Sequence, residues 1–417
     1  MIDFISANKI TYEDALFRNK ANAYYLMFGV IFFFASPLLF FIIIGLTSPF
    51  FYKVARDFLG PLLLIVSITF YSTLKPFSDL AEYLNVYHQV NDGSIDIFSY
   101  SRFGYGLECL TLIIMKVVGF LSGNDDQAFL LSIYTIIFTY IYLICKSINN
   151  KYSVFFFCII FLSLGMLESL SYFIRQNLSV VMFLYGLLCA RSKKIRWLYF
   201  LLSFTSHISG AINVAIYLFS KAYKKKINNV NRMVKLILIL IISLIFLTAF
   251  LQFTSFGQVL LDKAKYVINK GQYSTLPLPY ILLTTVNLIL LMLFLSRYKE
   301  DNIVMYYLLL KEAVLFYLTL PFPAVPNRLG MILFSYSAIF LYSNLKYTET
   351  KRKIISVFAI SMINIMGFIY SMYNVTLHNN NFTFYENSPF TYNIYNVVNY
   401  IYDACSQGVV YIDSGNG

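Results

Sequence analysis

The sequence predicts an all-α protein that crosses a membrane about 10–13 times. Three observations carry that expectation. Of the 417 residues, 59% are hydrophobic and only 12% charged, with a mean hydropathy of +0.67. A soluble domain carries about 25% charged residues. Apolar runs of roughly the 20 residues needed to span a bilayer recur along the chain. Short Lys/Arg-rich stretches separate many of them, as cytoplasmic loops do. The net charge of +12 therefore reads as loop orientation, and no aromatic-interleaved basic patch points to nucleic acid.

The apolar runs fall at 23–46, 58–74, 127–145, 152–166, 172–190, 236–252, 278–296, 303–320, 329–345 and 353–374. The first is long and has no small-residue cleavage site, so it reads as an anchor rather than a signal peptide. "RSKKIR" (191–196) holds four basic residues, "KAYKKKINNVNRMVK" (221–235) six, and "KYTETKRK" (346–353) four. These loops, with 146–151 and 297–299, are expected on the cytoplasmic side. "LESLS" (167–171), 253–277, "PFPAVPNR" (321–328) and the tail from about 375 are then expected outside.

Two runs do not fit simple crossings. Both flanks of 197–220 are basic, yet "WLYFLLSFTSHISGAINVAIYLFS" is too short to cross twice. Two half-helices meeting at "TSHISG" satisfy the constraint. Broken backbone is tolerated in a membrane only when buried in protein or facing a wet cavity. The run 105–122 has both ends outside if 47–57 is cytoplasmic, and is then re-entrant or interfacial; with 75–104 inside it becomes a true crossing. Short loops throughout argue for one transmembrane domain over 1–417, with 375–417 as an external C-terminal tail.

Five cysteines occur with no CxxC pair and no Cys/His spacing suited to a metal, so they read as small buried hydrophobes. No metal and no cofactor is expected. Nucleotide-loop, dinucleotide, zinc-protease and hydrolase-elbow motifs are missing, which disfavours nucleotide-driven transport and metal hydrolysis.

Charge inside apolar runs is where chemistry is sought. Arg175 and Gln176 sit near the outer end of the 172–190 run. Arg175 either snorkels to headgroups or faces a cavity as an anion site, and intramembrane charge favours the second. Arg328 follows a proline-rich turn at a similar depth. Two such guanidinium groups suit a phosphate or pyrophosphate. His207 lies among Ser206, Ser209 and Gly210 at the expected helix break, where an imidazole suits a general base. Asp79 and Tyr83 share a helix face four residues apart, at the start of an acidic stretch that includes Glu82, Asp92, Asp96 and Glu108. Lys311 and Glu312 are adjacent in mid-helix and are expected to point toward separate partners.

These pieces together resemble the EpsG-like branch of the Wzy-type polysaccharide polymerases. The matching segments are "SDLAEY" (Asp79, Tyr83), "GYGLECL" (Glu108), "YFIRQNLSVVMFLYGL" (Arg175, Gln176), "SFTSHISGAI" (His207, Ser209) and "NRLGMILFSY" (Arg328), over about residues 75–340. The Arg-Gln helix followed some 30 residues later by the histidine segment is the most specific part. Members often carry a Glu-Pro-Gly-Phe-like run where this chain has "GYGLECL", and here Glu108 follows the Gly-Tyr-Gly instead of preceding it.

The resemblance implies an inner-membrane enzyme acting on its external face. Its substrate would be an oligosaccharide on undecaprenyl diphosphate, and a chain-length regulator protein a further partner besides membrane lipid. The growing glycan would pass to the non-reducing end of a new unit without a metal. Arg175, Gln176 and Arg328 would hold the diphosphate, and His207 or Asp79 would act as base. Tyr83, Arg102, Glu108 and Ser209 would bind sugar. An O-antigen ligase, another polyprenyl-linked glycosyltransferase and a lipid-oligosaccharide flippase are the alternatives.

Overall fold

The computed structural model describes residues 12–74, 79–100, 103, 106–163, 165–222, 278–295, 303–320, 330–344, 350–377 and 392–409. Among them every regular element is helical. In chain order the helices are α1 (Tyr12–Ala35), α2 (Pro37–Thr47), α3 (Tyr52–Ser72), α4 (Asp79–Asn91), α5 (Cys109–Ser122), α6 (Asp126–Ile148), α7 (Ser153–Phe161), α8 (Met166–Tyr172), α9 (Ile174–Leu188), α10 (Lys193–Ser206) and α11 (Ser209–Ala222). After these come α12 (Leu278–Leu295), α13 (Ile303–Thr319), α14 (Met331–Ser335), α15 (Ser337–Asn344), α16 (Thr350–Leu377) and α17 (Ile394–Gln407). The expected run at 236–252 lies outside the described residues.

Local sequence sets many of the helix ends. Ser36 caps α2 by accepting from Leu39 N, and Pro37 opens that helix where its missing N–H costs nothing. Asp125 accepts from Ala128 N at 3.0 Å to start α6, and Ser192 accepts from Ile195 N at 3.2 Å to start α10. α3 carries a π-helical turn at Ala55–Leu59.

α6 is the axis of the fold. Phe129, Leu130, Ile133, Tyr134, Ile137, Phe138, Ile141 and Ile144 recur at helical spacing and are buried against α3, α7 and α9. Tyr71, Phe138 and Phe161 interlock there, with ring centroids 5.1 to 6.0 Å apart. Gln127 Nε2, buried in this layer, donates to Ser72 O at 3.0 Å, the kind of bond a polar group needs away from water. The outer surface is apolar. Phe28, Phe34, Phe58, Leu201 and Ile369 are exposed, and Phe120 is 86% exposed. A surface of this kind suits lipid, not water.

Among the described residues three helices are long and apolar enough to cross a membrane: Tyr52–Ser72, Asp126–Ile148 and Ile355–Tyr373 within α16. Five more are apolar but shorter, among them α5 and α9. An all-α fold with several long apolar helices is consistent with a multi-pass membrane protein. Several helices fall short of a full span because the apolar runs are broken. The 152–190 region divides into α7, α8 and α9, and the 329–345 run divides at Tyr336.

The first of these breaks departs from expectation. "LESLS" was expected as an external loop; it is part of helix α8, with Met166, Leu167 and Leu170 completely buried. Its backbone breaks are satisfied from the other broken run. Ser163 Oγ donates to Ser335 O at 2.9 Å, Gly165 N donates to Phe334 O at 3.4 Å, and Ser169 Oγ lies 2.9 Å from Ser335 Oγ. Tyr336 OH donates to Asn177 Oδ1 at 2.8 Å, and Asn177 Nδ2 donates to Ser169 O at 2.7 Å. Two interrupted segments thus complete each other's hydrogen bonds, the condition for irregular backbone in an apolar layer. At "TSHISG" the chain does break into two helices, α10 and α11, joined through His207 and Ile208.

Candidate active site

Four chain segments converge beside that break. The first is the turn before α5. Glu108 N donates to Phe103 O at 3.1 Å, which brings the Phe103 ring and the Glu108 carboxylate out together. Gly106 makes this turn possible: its φ is +86°, and a Cβ there would lie 2.9 Å from Phe98 O.

The second segment is the start of α9. Arg175 is its second residue, and the side chain reaches into the turn. Arg175 Nη1 donates to Glu108 Oε2 at 2.5 Å and Nε donates to Tyr83 OH at 3.3 Å. The guanidinium lies over the Phe103 ring, 3.8 Å from its centroid, in a cation–π contact. The Arg175 side chain is only 11% exposed and that of Glu108 6%. A buried charge requires this kind of pairing. The third segment, α4, supplies Tyr83 and, one turn earlier, Asp79, which is near enough to contribute to the field at Arg175.

The fourth segment is the break itself. His207 is in extended backbone, φ −162° and ψ 143°, after the last turn of α10. Ile208 N, an unpaired donor at the entrance of α11, is captured by Glu108 Oε1 at 2.9 Å. One carboxylate therefore holds an arginine with one oxygen and a helix N-terminus with the other, where negative charge is favoured. His207 Nε2 faces the same Oε1 at 3.9 Å. Its Nδ1 accepts from Ser209 N at 3.2 Å and lies 2.9 Å from Ser209 Oγ. The backbone donor fixes Nδ1 as the unprotonated nitrogen and leaves the ring proton on Nε2, toward Glu108. Gly210 is required here by space: a Cβ would fall 2.6 Å from Ser203 C, O and Oγ. Ser179 and Ser203 clamp α9 to α10 below the break, each hydroxyl donating to the other's carbonyl at 2.8 Å.

A small cleft opens next to this cluster, with about 20 Å³ of free internal space. Gln176 lines it from α9; Ser209, Ile212 and Asn213 line it from α11; Lys311, Glu312 and Leu315 line it from α13; Met331 and Ile332 close it from α14. Arg175 and Gln176 are successive on a helix, so they face different sides: the arginine toward Glu108, the glutamine toward the cleft. Lys311 and Glu312 were expected to find separate partners. They bond to each other, and Lys311 Nζ also donates to Asn213 Oδ1 at 2.9 Å.

The structure thus brings Tyr83, Glu108, Arg175 and His207 into one cluster, and Gln176 and Ser209 into the adjoining cleft. Asp79 stands at the near end of α4. Arg102 and Arg328 lie outside the described residues. Phe103, Asn213, Lys311 and Glu312 belong to this neighbourhood although the sequence reading did not assign them to the site. Phe103 had a signal, its place between Arg102 and Glu108; Asn213 had none beyond its polarity in an apolar helix. Among the described residues no three His, Cys, Asp or Glu side chains group as metal ligands.

A family model described as the EpsG family matches residues 58–387, which is most of the chain. The match contains every residue of the cluster and the cleft. No curated protein and no solved structure matches the chain.

Proposed function

The chain belongs to the EpsG family, and on that premise we propose that it is a polysaccharide polymerase of the bacterial inner membrane. In this reading it transfers a growing glycan from undecaprenyl diphosphate to the non-reducing end of a second lipid-linked repeat unit, on the external face. The observation that carries the proposal is the Arg175–Glu108–His207 assembly built onto a broken helix. It offers the parts that glycosyl transfer from a diphosphate needs.

The bond between the sugar C1 and the diphosphate oxygen breaks as negative charge grows on the leaving group. A fixed cation in a poorly hydrated site stabilises that charge. Arg175 is such a cation. A guanidinium has five N–H donors, and its bonds to Tyr83 and Glu108 use two of them. Arg328 is proposed beside it on the diphosphate, and Gln176 is proposed to reach that group from the adjoining cleft. The acceptor hydroxyl must lose its proton as the new C1–O bond forms. His207 Nδ1 carries the lone pair for that step, and Glu108 stabilises the imidazolium that results. Asp79 is the other candidate base. Tyr83, Arg102 and Glu108 are proposed to border the bound sugars, and a chain-length regulator protein is a proposed partner.

The test is the surface polysaccharide of a deletion strain, run on a gel and complemented with wild-type or Arg175→Ala protein at matched membrane level. A collapse of the ladder to a lipid core bearing a single repeat unit, restored by wild type but not by Arg175→Ala, is expected. Normal ladders from Arg175→Ala remove Arg175 from the mechanism. Loss of every repeat unit from the core removes the polymerase reading. In that event single units retained inside indicate a flippase, and long polymer retained outside a ligase.

A further inference from the structure

We propose that α1 and α2 form a hairpin that enters the bilayer and leaves it by the same face, with its tip at Ser36–Pro37 inside the apolar core. The run 23–46 is long enough for one crossing. The contacts between its two halves exclude that path.

Those contacts pair residues in reverse order. Tyr25 OH donates to Ile44 O at 3.0 Å and lies 3.0 Å from Thr47 Oγ1. The Tyr25 ring stacks on Phe51 with centroids 4.2 Å apart. A Cβ on Gly29 would lie 3.6 Å from Ile44 Cδ1. Phe33 and Phe40 meet edge to face at 5.5 Å. In one continuous helix Tyr25 and Thr47, 22 positions apart, would be separated by about 33 Å. The chain has turned back on itself.

The tip suits a place without water. Ser36 N donates to Phe32 O at 2.8 Å, and Phe40 N donates to Ser36 O at 2.9 Å. Leu39 N donates to Ser36 Oγ, and Pro37 has no N–H to satisfy. Internal use of donors is what allows a break in the helix at membrane depth.

The two arms differ in what they face. In α2, Leu38, Phe40, Phe41 and Ile44 are buried, and Phe41 packs on Phe161 with ring centroids 4.1 Å apart. In α1, Tyr24, Met27, Phe28, Ile31 and Phe34 recur on one face and are each more than half exposed. The inner arm belongs to the protein core and the outer arm to lipid. With 11 residues, α2 reaches about 16 Å, half of a hydrocarbon core of about 30 Å. The surface that α1 presents therefore fits a single leaflet.

Charge selects the leaflet. α3 and α6 run antiparallel: Gln127 Nε2 meets Ser72 O at one pair of ends, and Lys151 Nζ lies 4.4 Å over the Tyr52 ring at the other. Lys53, Arg56, Lys146 and Lys151 gather at that second pair, beside Phe51 and the open end of the hairpin. Asp79, Asp92, Asp125 and Asp126 follow or precede the first pair. Excess Lys and Arg marks the cytoplasmic face. The hairpin thus dips into the inner leaflet, and α3 is the first full crossing. α4 and α5 then start and finish outside, and bring Tyr83 and Glu108 to Arg175 from the outer face.

The experiment uses the full-length chain in spheroplasts, with single cysteines added at exposed positions and the native cysteines left in place. A membrane-impermeant maleimide is applied before and after permeabilisation, and labelled peptides are identified by mass spectrometry. Lys20→Cys and Phe50→Cys are expected to label only after permeabilisation, and Asp92→Cys in intact spheroplasts. Phe34→Cys, beside the tip, is expected to stay unlabelled in both. All of these side chains are exposed, so the variants leave the core intact. Label at only one of positions 20 and 50 in intact spheroplasts restores a single crossing and overturns the hairpin. Label at position 34 in either condition overturns its insertion. Label at both 20 and 50 in intact spheroplasts, with none at 92, overturns the inner-leaflet placement. Labelling requires no substrate, so failure of the glycosyl-transfer reading leaves these outcomes unchanged.

Discussion

Glu108 is tied to two elements at once, and replacing it separates their contributions. In Arg175→Met the Glu108 carboxylate keeps its bond to Ile208 N at 2.9 Å but loses its cation. Removing one partner of a buried ion pair costs about 3–5 kcal/mol, because the other charge stays buried. In Glu108→Gln the amide oxygen still accepts from Ile208 N, and Arg175 faces a neutral group. The cost is then about 2 kcal/mol, within the range for a lost charge-assisted hydrogen bond. In the double variant both charges are gone and the Ile208 bond remains. Neutral replacement of a buried pair is often close to neutral for stability, so the double variant should lie within about 1 kcal/mol of wild type. The sum of the single costs, about 5–7 kcal/mol, then exceeds the double cost by at least about 4 kcal/mol. Equilibrium unfolding in mixed micelles, followed by circular dichroism, measures all four proteins. Polymer ladders from the same variants should be lost in both singles and in the double, since stability is restored without the cation. A coupling below about 0.5 kcal/mol refutes the buried-pair argument. Activity in the double variant refutes a role for the guanidinium.

Three further outcomes follow from the same geometry. Gly210→Ala sets a Cβ 2.6 Å from the Ser203 backbone and hydroxyl, and overpacking of this kind costs about 1–3 kcal/mol; a lowered Tm in detergent together with loss of activity is expected. Tyr336→Phe removes the donor to Asn177 Oδ1, leaving a buried acceptor unpaired at a cost of about 1–3 kcal/mol, read as a lower Tm with little change in the KM for lipid-linked units. Phe103→Leu deletes the ring under Arg175; with a desolvated cation–π contact worth about 2 kcal/mol, the KM for lipid-linked units should rise up to about 30-fold, and an unchanged KM would show that the ring does not orient the guanidinium.

What the sequence made legible was local. Basic stretches on both sides of 197–220 left too few residues for two crossings, and the polar "TSHISG" gave the place to break. Arg175 was legible because a charge in an apolar run is rare. The fate of 167–171 was not legible, because it depends on a partner far away in the chain. Glu168 and two serines within five residues read as a water-facing loop, yet Ser335 and Tyr336 supply hydrogen bonds around that segment from the far end of the chain. Hydropathy counts side chains and has no access to such partners. The Lys311–Glu312 pair was missed for a related reason. Adjacent residues on a helix diverge by about 100°, but both side chains are long enough to bend back toward one polar cleft. Glu108 was noticed for its position after the Gly-Tyr-Gly, and the turn closed on Phe103 is what delivers its carboxylate to Arg175.

The stitching of the two broken segments also sets an order for biogenesis. Ser163 and Ser335 are 172 positions apart, and Ser169 and Ser335 are 166 apart. Helices α4 to α11 leave the ribosome and reach the bilayer well before α13 and α14 exist. During that interval the interrupted backbone around residues 163–165 must rely on water, on lipid headgroups or on an insertion chaperone. The Arg175–Glu108 pair can close early, from residues 103 to 208 alone. The cleft cannot, because two of its walls arrive last. A chain truncated before residue 331 would therefore carry an assembled arginine cluster beside an unfinished cleft, and membrane quality control would meet it as exposed polar backbone.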